Sequence, residues 1–269
     1  MNDDRNQARA PGSAVIERGR AHTPVVEYAT DDEGGYGAAT LVDKSMLAAD
    51  IMQVTLQVDD RAFAGRRPGQ YLSLLGEDGS PRHFSIASPP DTGPRIELHV
   101  RRVAGGMFTS RLCDELPVGS KLRVSGPFGD LVPRDGTAAM LLVAGGSGFA
   151  PMQAITAHVL SRQPHRAVTL LWSVRRPDDL YKREMLEAWA HRHPGFRFLP
   201  VIDTGVDTGA ANPLQERLAM LAAADQDTYI SGPPPMVALC RNLLAGLEIA
   251  ANRIHFEGSS NLGVTPSAV

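Results

Sequence analysis

The sequence predicts two domains in tandem: an antiparallel β-barrel, then an α/β domain built on a parallel sheet. Three observations carry this. Between about Thr40 and Gly129, short stretches alternate apolar and polar residues between Gly, Pro and Asp turns, as in a small closed antiparallel sheet. After Asp135-Gly136 the texture changes to continuous apolar strands alternating with helical segments, the pattern of a parallel sheet covered on both faces. At 269 residues the chain is long enough for two separate cores.

Residues 1–36 lack periodic hydrophobicity, carry mixed charge and are expected to form a flexible tail. Residues 37–135 are assigned to the barrel, 136–259 to the α/β domain and 260–269 to a second flexible tail. Within the barrel, Ile51 to Val58, Gln70 to Leu75, Arg95 to Val100 and Lys121 to Val124 follow a period of two and are predicted strands. Gly106-Met107-Phe108-Thr109 is expected to precede a helix carrying Leu112 and Leu116. The α/β half then reads as strand Ala139–Ala144, helix Pro151–Leu160, strand Val168–Val174, a helix beginning near Leu180, and strand Phe196–Ile202. A helix over Pro213–Ala223, strand Thr228–Ser231, a helix over Pro235–Leu247 and a closing strand Arg253–Phe256 complete the alternation.

Composition excludes several classes. Apolar residues make up 43% and charged residues 21% of the chain, the profile of an ordinary globular protein. A net charge of -3 gives no push toward nucleic acid or anionic membrane. No apolar run approaches the length of a membrane span. The opening Met1-Asn2-Asp3-Asp4-Arg5-Asn6 is polar and has no hydrophobic signal core, so a cytoplasmic protein is expected. The two cysteines, Cys113 and Cys240, cannot supply the four thiolates of an iron–sulfur cluster, so any such relay is expected on another polypeptide. His158, His165, His191 and His193 lack partners at metal spacing and read as surface or packing residues, so no metal site is expected.

Five short segments carry chemistry. Gly145-Gly146-Ser147-Gly148 lies where a strand meets a helix, so its backbone can approach a diphosphate whose charge the helix N-terminus stabilises. Pro151 suits the first turn of that helix. Alone, the segment also reads as a tight βα turn. At the next strand end, Ser173-Val174-Arg175-Arg176 precedes the first acid, Asp178. Two guanidiniums there suit the 2′-phosphate of NADPH, or they are solvated loop charges, and the site is taken as NAD(P)H. Ser231-Gly232-Pro233-Pro234-Pro235-Met236 is a third strand-to-helix loop of the kind that lines the crevice of an α/β sheet. In the barrel, Arg82 could neutralise a phosphate, Phe84 cover an aromatic ring and Ser85 donate to a ring nitrogen. Arg82 and Ser85 share a face only if their strand is kinked or ending there. Gly106 to Thr109 offers free N–H groups and a hydroxyl as a second anion seat.

Taken together and in order, these segments resemble the ferredoxin–NADP reductase superfamily over roughly residues 38–258. Arg82-His83-Phe84-Ser85 resembles its Arg-x-Tyr-Ser flavin motif, with Phe84 in the tyrosine place. Gly106-Met107-Phe108-Thr109 resembles the element that holds the FAD pyrophosphate, and Gly126-Pro127-Phe128-Gly129 its Gly-Pro-x-Gly turn. Gly145 to Pro151 resembles the nicotinamide-nucleotide loop, and Ser231 to Met236 its Cys-Gly-Pro-Pro-x-Met loop, with Ser231 in the cysteine place. Asp179-Leu180-Tyr181 also fits, the tyrosine being expected near the adenosine. Ile254 to Gly258 is similar to the last strand, with Ser259 where an aromatic often follows.

The resemblance implies FAD as cofactor and NADPH or NADH as electron source. It implies Ser85, Ser231 and Glu257 as catalytic residues. Implied cofactor-binding residues are Arg82, Phe84, Ser85, His99, Arg101, Gly106, Met107 and Thr109 in the barrel half. In the second half they are Gly145, Gly146, Gly148, Pro151, Ser173, Arg175, Arg176, Tyr181, Gly232, Pro233 and Met236. Ser85 would bond the flavin near N5, Ser231 line the nicotinamide pocket and Glu257 relay a proton. The expected activity passes electrons from the nicotinamide through FAD to a separate redox partner: a ferredoxin, an oxygenase or a dehydrase. Two alternatives are a reductase releasing free reduced flavin, and a non-catalytic nucleotide-binding subunit of a redox complex.

Overall fold

In the computed structural model, which describes residues 35–257 apart from 104 and 205–211, the strands fall into two sheets. The first comprises β1 (Gly37–Ala48), β2 (Ile51–Val58), β3 (Tyr71–Leu75), β4 (Pro81–Ser85), β5 (Arg95–Arg101) and β6 (Lys121–Phe128). Two short helices, α1 (Asp60–Phe63) and α2 (Met107–Ser110), lie in its connections. The strand order is β4-β3-β6-β1-β2-β5, with antiparallel pairing throughout. An antiparallel bridge between Ile86 and Leu98 joins the β4 end to β5 and closes the sheet as a barrel. Alternate residues of each strand, among them Leu41, Val54, Leu56, Leu72, Leu74, Ile96 and Leu98, fill the interior.

The second sheet is parallel, in the order β11-β10-β7-β8-β9. Its chain order is β7 (Met140–Gly145), α3 (Phe149–Arg162), β8 (Val168–Val174), α4 (Arg183–Arg192), β9 (Phe196–Ile202), α5 (Pro213–Leu221), β10 (Asp227–Ser231), α6 (Pro234–Gly246) and β11 (Ile254–Phe256). β7 is buried on both sides: Met140, Leu142 and Ala144 face one core with Phe149 and Trp172, while Leu141 and Val143 face another with Leu214, Leu218 and Leu244. That is why its sequence is continuously apolar rather than alternating. Strand order reverses at β7, so the loops leaving β7, β8 and β10 open into the crevice where such sheets bind ligands.

The predicted elements are present with several shifted ends. β1 was not singled out from the sequence, because two register irregularities, at Leu41/Asp43 and Met46/Ala48, break its alternation. The helix expected after Thr109 is a single α-turn that runs into a π-helical turn, Arg111–Glu115, with Leu112 buried and Leu116 already extended. The helix expected near Leu180 starts at Arg183. A 3-10 turn, Pro177–Asp179, comes first, and in it the Asp179 carboxylate accepts the backbone N–H of Arg176. The expected tails at 1–36 and 260–269 fall outside the described residues, except for Gly35 and Tyr36.

The linker between the sheets is pinned rather than loose. Arg166 donates to the carbonyls of Ala138 (2.8 Å) and Arg134 (3.0 Å), and the Arg134 N–H donates to the Tyr229 hydroxyl (2.8 Å). These bonds tie the end of the barrel to the α/β sheet before any ligand is considered.

Candidate functional site

Strand β4 ends at Ser85, yet Arg82 and Ser85, three residues apart, still point to opposite faces of it, so the shared face that the motif would need is not formed by these two side chains. Register pairs Phe84 with Leu72 and Ser85 with Tyr71, after which Ile86 leaves β3 for β5. On one face, the Phe84 ring lies over that of Phe108, centroids 6.0 Å apart and 26° between planes. The Arg82 guanidinium sits 5.9 Å from the Phe108 centroid and pairs with Asp78 at 3.0 Å. Thr109 Oγ1 accepts the Val103 N–H (3.2 Å), and a Cβ on Gly106 would come within 3.0 Å of that oxygen. Arg82, Phe84, Gly106 and Thr109 thus form one shelf, with a cation at its edge and Met107 exposed beside it.

On the opposite face of β4, the Ser85 hydroxyl donates to the Glu257 carboxylate (3.3 Å). This bond joins the barrel to the residue following β11, the last strand of the other sheet. Burial pushes the Glu257 carboxyl up to about 7, against the Ser85 bond and assisted by Asp130. Among the described residues its Oε1 is buried without a hydrogen-bond partner. Tyr71, raised by burial and then by Glu257 and Asp130, packs edge-on to His83 (5.4 Å). Tyr71, Phe108 and Asp130 were not identified from the sequence. Phe108 lay inside a quoted motif, whereas the other two reach the site only through barrel closure.

The glycine loops interlock. A Cβ on Gly145 would meet the Met236 sulfur at 2.3 Å, on Gly148 the Ser231 carbonyl oxygen at 2.4 Å, and on Gly232 the Gly145 backbone at 3.1 Å. Gly148 is therefore required for one loop to pass against the backbone of the other, whereas the atom nearest Gly145 and Gly232 belongs to the flexible Met236 side chain. Gly146 differs: its φ is +52°, and a Cβ would point at the Arg101 guanidinium, 2.9 Å away. Its carbonyl accepts the Trp172 indole N–H at 3.0 Å. Pro151 and Pro233 sit at the starts of α3 and α6, with Pro151 buried and Pro233 as the residue preceding the helix. Ser231 is buried at the end of β10, and Ser173 pairs with Gly145 across β7 and β8.

Arg175 and Arg176 line a cleft of about 460 Å³ together with Asp50, Arg101, Asp179 and Thr204. Arg176 pairs with Asp179 at 2.9 Å, and Arg101 pairs with Asp50 of the β1–β2 turn. Arg175 has no such partner among the described residues. Arg101 therefore joins the second-domain arginines rather than the Arg82 shelf. Asp50 and Thr204 carried no signal in the sequence.

His99 and Tyr181 occupy a different place from the surface of a pocket. The His99 ring is fully enclosed, its Nε2 against Glu97 (2.8 Å) and its Nδ1 against the Tyr181 hydroxyl (3.1 Å). They close the seam between the two sheets. Among the described residues no group of His, Cys, Asp and Glu could hold a metal ion, and no helix is long and apolar enough to cross a membrane.

Residues 38–132 match the family model for the oxidoreductase FAD-binding domain, and residues 142–242 that for the oxidoreductase NAD-binding domain. The chain is 32% identical to the reductase subunit of an aromatic O-demethylase from Amycolatopsis, over 93% of this chain and 79% of that protein. It is 36% identical to the reductase component of a phenol 2-monooxygenase from Pseudomonas, over 63% of this chain. Its fold is similar to that of an Amycolatopsis cytochrome P450 reductase, with TM-score 0.74 and 31% identity over 82% of this chain and 70% of the other. The chain spans 50% of the phenol component's length and 66% of two further relatives.

Proposed function

The chain belongs to the ferredoxin–NADP reductase superfamily of FAD- and NAD-binding oxidoreductases, and from that premise we propose that it passes electrons from NAD(P)H through FAD to a separate redox protein. The observation that carries the proposal is the Ser85–Glu257 hydrogen bond. It brings the end of the flavin-motif strand to the C-terminal edge of the nucleotide sheet, so that the two cofactor seats open on one seam. Bound there, the flavin would accept a hydride from the nicotinamide and release the two electrons one at a time.

The residues supply binding and orientation. Phe84 and Phe108 offer a flat apolar bed, and Arg82 and the Gly106–Thr109 turn offer positive charge and N–H groups for a pyrophosphate. Ser85 holds the Glu257 carboxyl, whose pKa near neutrality suits it to take up or release a proton at working pH. The Gly145–Gly148 loop and the start of α3 receive the nucleotide diphosphate, with Ser231 closing the nicotinamide end. The arginine cleft supports NADPH over NADH, since it gathers three guanidiniums and Arg175 has no carboxylate partner among the described residues.

The acceptor is an oxygenase or a dehydrase component, as the names of the relatives suggest, or a ferredoxin, as the resemblance implies. A cytoplasmic setting is supported by two buried free thiols. The test is the visible spectrum of protein purified with FAD under anaerobic conditions. Flavin absorption should survive gel filtration and bleach on addition of NADPH or NADH. Protein that holds no flavin, or holds it and is bleached by neither nucleotide, overturns the reading.

A further inference from the structure

We propose that Glu97 and His99 are positioning residues for hydride transfer, acting as a strut that sets the distance between the flavin strand and the nucleotide loop. The inference rests on the function proposed above. Both side chains come from β5 of the barrel, yet nearly every group they touch belongs to the other domain. Glu97 Oε1 accepts from His99 Nε2 (2.8 Å) and from Gln153 Nε2 (3.3 Å), and forms an ion pair with Lys182 Nζ (3.5 Å). Lys182 also donates to Gln53 of β2 (2.8 Å).

The hydrogen-bond roles follow from the chemistry of the groups. A carboxylate only accepts, so His99 carries its proton on Nε2 and offers the Nδ1 lone pair to the Tyr181 hydroxyl at 3.1 Å. Burial holds the imidazole below its ordinary value even beside a carboxylate, which favours this single neutral tautomer. Glu97 stays ionised despite burial because His99, Lys182 and Gln153 surround it.

From His99 the strut continues through rings. The imidazole stacks on Phe149 (6.0 Å, 19° between planes), and Phe149 on Trp172 (4.0 Å, 16°). The Trp172 indole N–H ends the path on the carbonyl of Gly146, in the nucleotide loop. Tyr181 stands edge-on to all three rings. A second leg runs in parallel: Gln153, one turn along α3 from Phe149, also donates to the Ala87 carbonyl (3.2 Å), two residues beyond Ser85. The loop that receives one cofactor and the strand end that receives the other are thus spaced by packed rings and by hydrogen bonds of Glu97, His99 and the Gln153 Nε2 group. Reacting atoms about 3–3.5 Å apart tolerate little error, and a displacement of about 1 Å costs on the order of a hundredfold in rate.

Three variants test this in the FAD-loaded protein. His99→Phe keeps a flat ring on Phe149 and deletes both hydrogen bonds. Glu97→Gln keeps the shape and an acceptor for His99 but removes the charge. Tyr181→Phe removes one hydroxyl. With His99→Phe the rate constant for flavin reduction at saturating nucleotide should fall roughly 10- to 100-fold, while nucleotide Kd stays close to wild type. The long-wavelength charge-transfer absorption formed with an unreactive tetrahydronicotinamide analogue should weaken in parallel, since it reports ring alignment without turnover. Glu97→Gln and Tyr181→Phe should show the same split to a smaller degree, and they decide the matter if His99→Phe does not fold. Wild-type rate and absorption in the folded variants, with only a lowered Tm, would make the cluster purely structural and overturn the inference. A wild-type protein that neither nucleotide reduces overturns the proposed function itself, and the strut with it.

Discussion

Replacing Glu257 by glutamine should change how stability depends on pH, and the size of the change follows from the site. Burial lifts this carboxyl from 4.5 to about 7, and Asp130 adds to the rise while Ser85 opposes it. In the unfolded chain the group has an ordinary value. Between pH 4.5 and about 7 the unfolded chain has therefore lost a proton that the folded chain retains, so Glu257 makes stability fall as pH rises through that window. A rise of about 2.5 pH units at about 1.4 kcal/mol each amounts to roughly 3 kcal/mol. Above about pH 7 both states are ionised and the loss is complete. Glu257→Gln keeps the shape and still accepts from Ser85 but does not titrate. Urea unfolding of both proteins at intervals from pH 4.5 to 8 gives the assay. The advantage of the variant over wild type should widen by about 3 kcal/mol across the range. His83, His99, His158 and His255, whose pKa values burial chiefly lowers, are present in both proteins and cancel in the difference. A difference that stays constant with pH would show that Glu257 is not buried at the seam, and the main support for the shared site would go with it.

Two further outcomes follow from the loops and the cleft. Gly148→Ala should destabilise by about 1–3 kcal/mol and more than Gly145→Ala, because its Cβ meets the Ser231 backbone whereas that of Gly145 meets the end of a flexible methionine; urea midpoints at constant m-value check the order. Arg175→Ala should raise KM for NADPH about tenfold, the equivalent of about 1.4 kcal/mol, and leave KM for NADH nearly unchanged in steady-state assays. Equal effects on both nucleotides would remove Arg175 from the 2′-phosphate site.

Much of the architecture was legible in the chain because it depends on local requirements. Period-two alternation marked β2, β3 and β5, and an unbroken apolar run marked β7, since a strand buried on one face or on two must be written that way. The phosphate-type loops were legible for a similar reason. The glycines after β7 answer a backbone need, a positive φ at Gly146 and a close approach to the Ser231 carbonyl at Gly148. Where two local signals compete, the reading slipped. The bulges of β1 hid its alternation, and the Arg176–Asp179 turn delayed α4.

Local patterns in the chain gave most of the strands and helices in their order, β1 and the turn after Thr109 excepted, and the segments that hold the residue types for a flavin and a nicotinamide nucleotide. Tertiary structure alone decided who meets whom. Glu257 reaches Ser85 across 172 residues. His99 and Tyr181, read as cofactor contacts, turn toward each other inside the seam. Arg101 of the barrel enters the cleft of the second domain. Such contacts depend on barrel closure and on how two separately packed cores abut. No short window of residues records either, because the free energy that selects them is spread over both cores at once.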